Sequence, residues 1–92
     1  MSWVFFVLYS MFAEVFVVYV LQSEVDGSFY KGMTSDMDRR LKQHNSGKTK
    51  STKSKMPWRV VYTEKYPGAL EARKREKYFK SAAGRRFLKL KI

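Results

Sequence analysis

A chain of 92 residues is long enough for one modest sheet with helices packed on it and too short for two cores. With no cysteine and a single histidine, it excludes a disulfide-stapled scaffold, a zinc finger or ribbon, a thiol nucleophile and a two-histidine metal site. The formal charge of +11 calls for a polyanionic partner, either nucleic acid or an acidic membrane surface.

That charge is uneven. Residues 1–45 carry four basic side chains (Lys31, Arg39, Arg40, Lys42) against five acidic ones, whereas residues 46–92 carry fifteen against three (Glu64, Glu71, Glu76). A cationic half of this density binds phosphate backbones with strong salt dependence.

In chain order, the first element demands a choice. Trp3 to Leu21 is 19 residues with only Ser10 and Glu14 outside the apolar set, the length of a membrane span. An ionised Glu14 near its middle opposes that reading. So does a composition of six valines and seven aromatics against two leucines, which favours strand. Val15 to Leu21 is therefore read as a central strand, apolar on both faces. Residues 1–13 become an apolar extension ahead of a domain spanning 14–92. A start at Met11 would remove most of that extension, making residues 1–10 a mis-called start or a sticky arm.

Gln22 to Ser28 holds the turn dipeptide Asp26-Gly27, so Phe29 to Thr34 returns as the second arm of a hairpin. Gly32 within that arm implies that another group comes close. Ser35 with Asp38 three residues on predicts a helix from Asp36 to about Asn45, ended by Gly47. Met37 and Leu41 form its apolar stripe, and Arg40 and His44, four apart, share a face beside it. Gly47 to Pro57 reads as a lysine-rich loop. A third strand begins at Trp58 and runs to Thr63, Pro67-Gly68 breaks the chain, and a helix runs from about Ala69 to Ala82. Its inward stripe is Ala72, Glu76, Phe79 and Ala83. Gly84 is read as an interruption before a short basic final helix or tail, Arg85 to Ile92. The fold class is α/β: a small three-stranded, mostly antiparallel sheet flanked by helices.

These residues in this order resemble the GIY-YIG nuclease superfamily, in particular its small stand-alone bacterial members of the URI-domain type. The resemblance covers roughly Glu14 to Ile92. The first signature falls on Val17-Val18-Tyr19 and the second on Tyr30-Lys31-Gly32, one strand later. An Arg-x-x-x-His pair falls on Arg40 and His44. The stretches His44 to Gly47, Ser51 to Lys53 and Met56 to Trp58 match the small members. Glu71 to Glu76 resembles the segment bearing the metal-binding glutamate, which maps to Glu76. Three departures stand out: Val17 replaces the first signature's glycine, Lys31 replaces the second's isoleucine, and no asparagine follows Asn45.

The resemblance implies phosphodiester hydrolysis with one divalent ion, Mg2+ or Mn2+. Tyr19 would act as general base or water-orienting group with Tyr30 assisting. As a base near neutral pH, Tyr19 would need Arg40 or the metal to lower its pKa of ~10. Arg40 would hold the scissile phosphate and His44 would bind phosphate or shuttle a proton. Glu76 would hold the metal, since magnesium commonly takes only one or two protein carboxylates. Read without the motif, the tyrosines are sheet aromatics, Arg40 is a surface arginine and His44 a helix cap. Spacing leaves Glu76 open between a metal ligand and an ion pair with Arg73, Lys77 or Lys80.

The partner expected is DNA, contacted through its backbone at Gly32, Lys42, Lys48, Lys50, Lys53, Lys55 and Arg59. The leading function is a cytoplasmic, metal-dependent DNA endonuclease of repair or recombination. A non-catalytic nucleic-acid-binding module on the same fold is the alternative. A membrane-tethered basic protein rests on Trp3 to Leu21 alone.

Overall fold

The computed structural model describes residues 14–92. The readings made for residues 1–13 lie outside the described residues. The chain forms strand β1 (Val15–Ser23), strand β2 (Phe29–Thr34), helix α1 (Met37–His44), a 3-10 turn (Lys53–Lys55), strand β3 (Trp58–Pro67), helix α2 (Ala69–Phe79) and helix α3 (Ala82–Lys91). The sheet order is β2-β1-β3 and both pairings are antiparallel, so the apolar β1 is central as its composition requires. Val15 to Leu21 thus lies within the sheet. No helix among the described residues is long and apolar enough to cross a membrane.

Alternation along β1 divides the protein into two layers. Val18 and Val20 point into a core completed by Ala72, Phe79 and Leu88 of α2 and α3. Tyr19 and Leu21 point the other way and pack with Trp58, Tyr30, Met37 and Leu41. A β-bulge opposite Val20 and Leu21 lets β3 serve both layers: Leu21 pairs with Val60 but Val20 with Tyr62. The extra residue inverts the alternation. Trp58 therefore joins the α1 layer, while Tyr62 and Tyr66 face α2 and α3.

Glu64 lies on the same face of β3 as Tyr62 and Tyr66. Their hydroxyls donate to its carboxylate at 2.6 and 2.7 Å, and Arg75 adds a two-pronged contact at 2.8 and 3.2 Å. The Arg75 guanidinium also lies 4.7 Å from the ring centres of both Tyr78 and Phe87. This network ties the outer strand to the two C-terminal helices.

Several boundaries differ from the sequence reading. The N-cap of α1 is Asp36, whose carboxylate accepts from the Arg39 amide at 3.1 Å, and not Ser35. Thr34 occupies the preceding amide by accepting from Asp36 at 3.1 Å, which places the cap one residue later. β3 continues to Pro67, four residues past Thr63, because it stays paired with β1 as far as Val15. The break between α2 and α3 falls at Lys80 and Ser81. Ser81 caps α3 by accepting from the Gly84 amide. Gly84 lies inside α3 and is needed for a different reason: a Cβ there would sit 2.7 Å from Phe79 Cα. Ala83, expected inward, is exposed, because the new helix starts with its own phase.

Candidate active site

The α1 layer places five of the expected residues on one spot. Tyr19 is 1% exposed and His44 is fully buried, and the Tyr19 hydroxyl lies 2.9 Å from His44 Nε2. Arg40, one helical turn before His44, donates from Nε to the Tyr19 oxygen at 3.3 Å and from Nη1 to Gln43 Oε1 at 3.0 Å. Tyr30 comes from β2, its ring centre 4.8 Å from that of His44 at 60°. Gly32 is paired with Tyr19 across the strands. A Cβ on Gly32 would overlap the Tyr19 hydroxyl and come within 2.6 Å of its ring carbon Cζ. The close approach that this glycine implies is therefore made by the catalytic candidate itself.

A residue not singled out from sequence completes the set. Thr52 is fully buried, and its Oγ1 lies 3.0 Å from His44 Nδ1. Its hydroxyl donates on to the Thr49 carbonyl at 3.4 Å, and its own carbonyl accepts from the Trp58 indole at 2.8 Å. These contacts have one consistent direction. With the Thr52 hydroxyl donating to the Thr49 carbonyl, its oxygen is left to accept from His44 Nδ1–H. In that tautomer Nε2 accepts the Tyr19 proton, and the Tyr19 oxygen accepts from Arg40. The series reads Arg40 to Tyr19 to His44 to Thr52 to the Thr49 carbonyl.

The electrostatics bear on Tyr19 as a base. Burial raises the Tyr19 pKa, and the opposing hydrogen bond and charge of Arg40 do not overcome it. Arg40 therefore does not make Tyr19 a phenolate. Burial and then the Arg40 charge push His44 down to about 4, so its imidazole is neutral and able to accept.

The loop is also more ordered than its composition suggests. The Ser23 hydroxyl donates to the Lys55 carbonyl at 2.7 Å, and the Asn45 side chain grips Trp58 through both its amide (2.6 Å) and its carbonyl (2.9 Å). Gly47 turns the chain out of α1 at φ +79°. Lys48, Lys50, Lys53 and Lys55 all stand exposed on this frame, as do Lys42 and Arg59. Two of them have partners: Lys55 lies 3.5 Å from Asp26, and Arg59 donates to Gln22 Oε1 at 2.9 Å. None of the six makes a hydrogen bond to Tyr19, Arg40 or His44. A polar hollow lined by Thr34, Ser35, Asp36, Arg39, Arg40 and Gln43 opens beside Arg40.

Glu76 stands on α2, in the other layer. It is 7% exposed, with Arg73 at 3.1 Å and Lys80 at 3.9 Å. Its charge is near enough to Tyr19 to be among the influences that raise that hydroxyl. No group of three or more potential ligands gathers around it among the described residues. A single hard carboxylate suits magnesium, which keeps most of its waters. Both cations beside it are more than half exposed and can turn away, so the donor set fits such an ion.

Two layers on a three-stranded sheet, with paired tyrosines, an Arg-x-x-x-His helix and an inward glutamate, define a GIY-YIG domain. The family model for the GIY-YIG catalytic domain matches residues 15–89, and the chain belongs to this family of nucleases. Within it, the chain is similar to small bacterial proteins. It is 48% identical over 56 residues to the UPF0213 protein BH0048 of Halalkalibacterium halodurans, covering 60% of this chain and 58% of that one. It is 36% identical over 74 residues to the UPF0213 protein SSP2268 of Staphylococcus saprophyticus, covering 79% and 89%. The solution NMR structure of the UPF0213 protein BH0048 from Bacillus halodurans superposes with a TM-score of 0.51 at 40% identity, over 83% of this chain and 81% of that one. Against the H. halodurans protein and a Streptococcus pneumoniae relative, the match spans 58% and 64% of the relatives' lengths.

Proposed function

We propose that the chain is a cytoplasmic DNA endonuclease that hydrolyses a phosphodiester bond with help from one divalent ion, in repair or recombination. The observation that supports this most is the continuous series of contacts from Arg40 through Tyr19 to His44 and Thr52. Arg40 stands on the wall of the polar hollow, where its guanidinium is placed to meet a phosphate oxygen. As water attacks phosphorus, its proton passes to the Tyr19 oxygen while the Tyr19 proton passes to His44 Nε2. The hydroxyl thus relays a proton without ever resting as a phenolate, which suits its raised pKa. Thr52 stabilises the imidazolium by keeping an acceptor at Nδ1. Tyr30 packs against the imidazole and fixes its plane. Glu76 would hold the ion, with Mg2+ or Mn2+ supplying charge stabilisation at the phosphate and leaving oxygen. The exposed lysines from Lys48 to Lys55 contact the DNA backbone and carry no base preference.

A second reading, a binding module without catalysis, draws on the closure of Glu76 by Arg73 and Lys80. One experiment separates the two. Nicking of flap, gapped and four-way DNA substrates is followed with Mg2+ present, for the full chain and for Tyr19→Phe and Glu76→Gln. Under the enzyme reading, both variants keep DNA affinity and lose nicking by orders of magnitude. Absence of nicking by the full chain on every substrate, with retained affinity, selects the binding module.

A further inference from the structure

The helical layer carries a second concave site. Between β2 and α3 lies a groove of about 240 Å3 lined by Phe29, Lys31, Arg85, Leu88, Lys89 and Ile92. Its floor is apolar: Leu88 is buried, and Phe29 and Ile92 are about half exposed. Three cations, Lys31, Arg85 and Lys89, share its lining. Neither Lys31, Arg85 nor Lys89 has an acidic partner among the described residues. Residues 1–13 contain no acid that could supply one. Lys31 is half-buried, and its pKa is lowered by burial and by the charges of Arg85 and Lys80. An ammonium held against its own preference between like charges is a place where an anion is gained cheaply.

This groove shares a strand with the active site. Tyr30 and Gly32 point from β2 to the Tyr19 layer, while Lys31 between them and Phe29 point to the groove. β2 is an outer strand of the sheet, so only its free edge separates the two sites. A duplex is stiff, with a persistence length of ~50 nm, and cannot fold round one strand's edge. An unpaired strand can.

We propose that the groove binds one unpaired nucleotide of the substrate, its base against Phe29 and Leu88 and its phosphate on Lys31 and Lys89. Resting on the nuclease reading, this assigns the substrate class: DNA with a single-stranded segment next to the scissile phosphate. The groove is below the ~300–1,000 Å3 of sites for drug-sized ligands, a size suited to one base and not a run of them. Aromatic and apolar surface accepts any base, so no sequence preference follows from it.

The test measures binding by fluorescence anisotropy without divalent ion. It uses the full chain and blunt duplex, the same duplex with a short overhang, and that overhang made abasic. The overhang should tighten binding roughly tenfold, and the abasic overhang should forfeit most of that gain, as loss of one stacked base does. Lys31→Gln with Lys89→Gln should remove the preference, leave blunt-duplex affinity within about twofold, and lower the overhang salt slope by about 0.7 per phosphate released. Arg85 is left intact because it also donates to the Lys80 carbonyl at 2.9 Å. If Lys31→Gln with Lys89→Gln melts early, Phe29→Ser serves as the second variant.

Equal binding of blunt and overhang DNA by the full chain would overturn the proposal. So would an equal loss on both substrates in the variants. Binding to vesicles containing phosphatidylglycerol that the same two substitutions abolish, without any overhang preference, would replace the nucleotide by an anionic lipid. The two readings fail separately. A retained overhang preference with no nicking in Mg2+ leaves the groove and removes the enzyme, whereas nicking without preference does the reverse.

Discussion

Replacing Thr52 by valine keeps the volume of a fully buried side chain and deletes one oxygen. That oxygen is the acceptor for His44 Nδ1–H at 3.0 Å. Two outcomes compete inside the α1 layer. If the proton stays on Nδ1, a buried donor is orphaned at a cost of about 1–3 kcal/mol. If it moves to Nε2, it faces the Tyr19 oxygen, which already accepts from Arg40, and the Tyr19 proton loses its acceptor. Either way the folded state weakens by a similar amount. For a domain of this size each kcal/mol moves Tm by about 4–8 °C, so a drop of roughly 5–20 °C is expected. Nitrogen-15 NMR of the imidazole reads the tautomer directly. The unaltered protein should show Nδ1 protonated and Nε2 accepting, and Thr52→Val should show mixed or inverted tautomers. Any nicking should fall further than the folded fraction does, while Thr52→Ser restores both tautomer and rate. An Nδ1-protonated imidazole persisting in Thr52→Val with Tm within a degree of the parent would refute the directed series.

Other perturbations bear on the same architecture. Gly32→Ala drives a methyl into the Tyr19 ring, so about 1–3 kcal/mol of overpacking is expected in chemical denaturation, together with loss of nicking. Acid should destabilise the protein in two successive windows. His44, held down to about 4 by burial and then by Arg40, stays neutral in the folded state while the unfolded chain protonates near 6.5, so stability is lost as pH falls from 6.5 toward 4. Glu64 follows: burial opposes its charge, but Arg75, Tyr62 and Tyr66 together hold it at about 2 against 4.5 unfolded, so its contribution disappears from pH 4.5 down to 2. Melting scans of Glu64→Gln should flatten the second window and leave the first. Changing Lys48, Lys50, Lys53 and Lys55 to Gln should reduce the log–log salt slope of duplex binding by about 0.9 for each phosphate no longer neutralised, and an unchanged slope removes the loop from the DNA footprint.

The hairpin, the central strand and the shared face of Arg40 and His44 were legible because each follows from a local period or a turn dipeptide. Family spacing added the pairing of Tyr19 with Tyr30 and Gly32. Thr52 was not legible, since nothing in Ser51-Thr52-Lys53 distinguishes a buried hydroxyl from its exposed neighbours. Only the indole of Trp58 and the imidazole of His44, folding over it from either side, make it part of the site. The break at Ser81 was hidden by Gly84, the stronger breaker in sequence but here a close-packing residue. The pKa of Tyr19 could not be read either. It depends on burial acting against Arg40, a balance between two tertiary effects.

The division of labour along β1 has a consequence for partly folded chains. Odd positions from Val17 to Leu21 face the Tyr19 layer and even ones face the helical core, so a slip of one residue would exchange the two sets. Tyr19 would then lie among Ala72 and Phe79, far from its arginine and histidine. Chemistry that depends on the relay is therefore withheld from every mispaired intermediate. Under the proposed nuclease reading, a nascent or damaged copy of this cationic protein would still cling to nucleic acid, but it would not cut what it clings to until its sheet has closed in register.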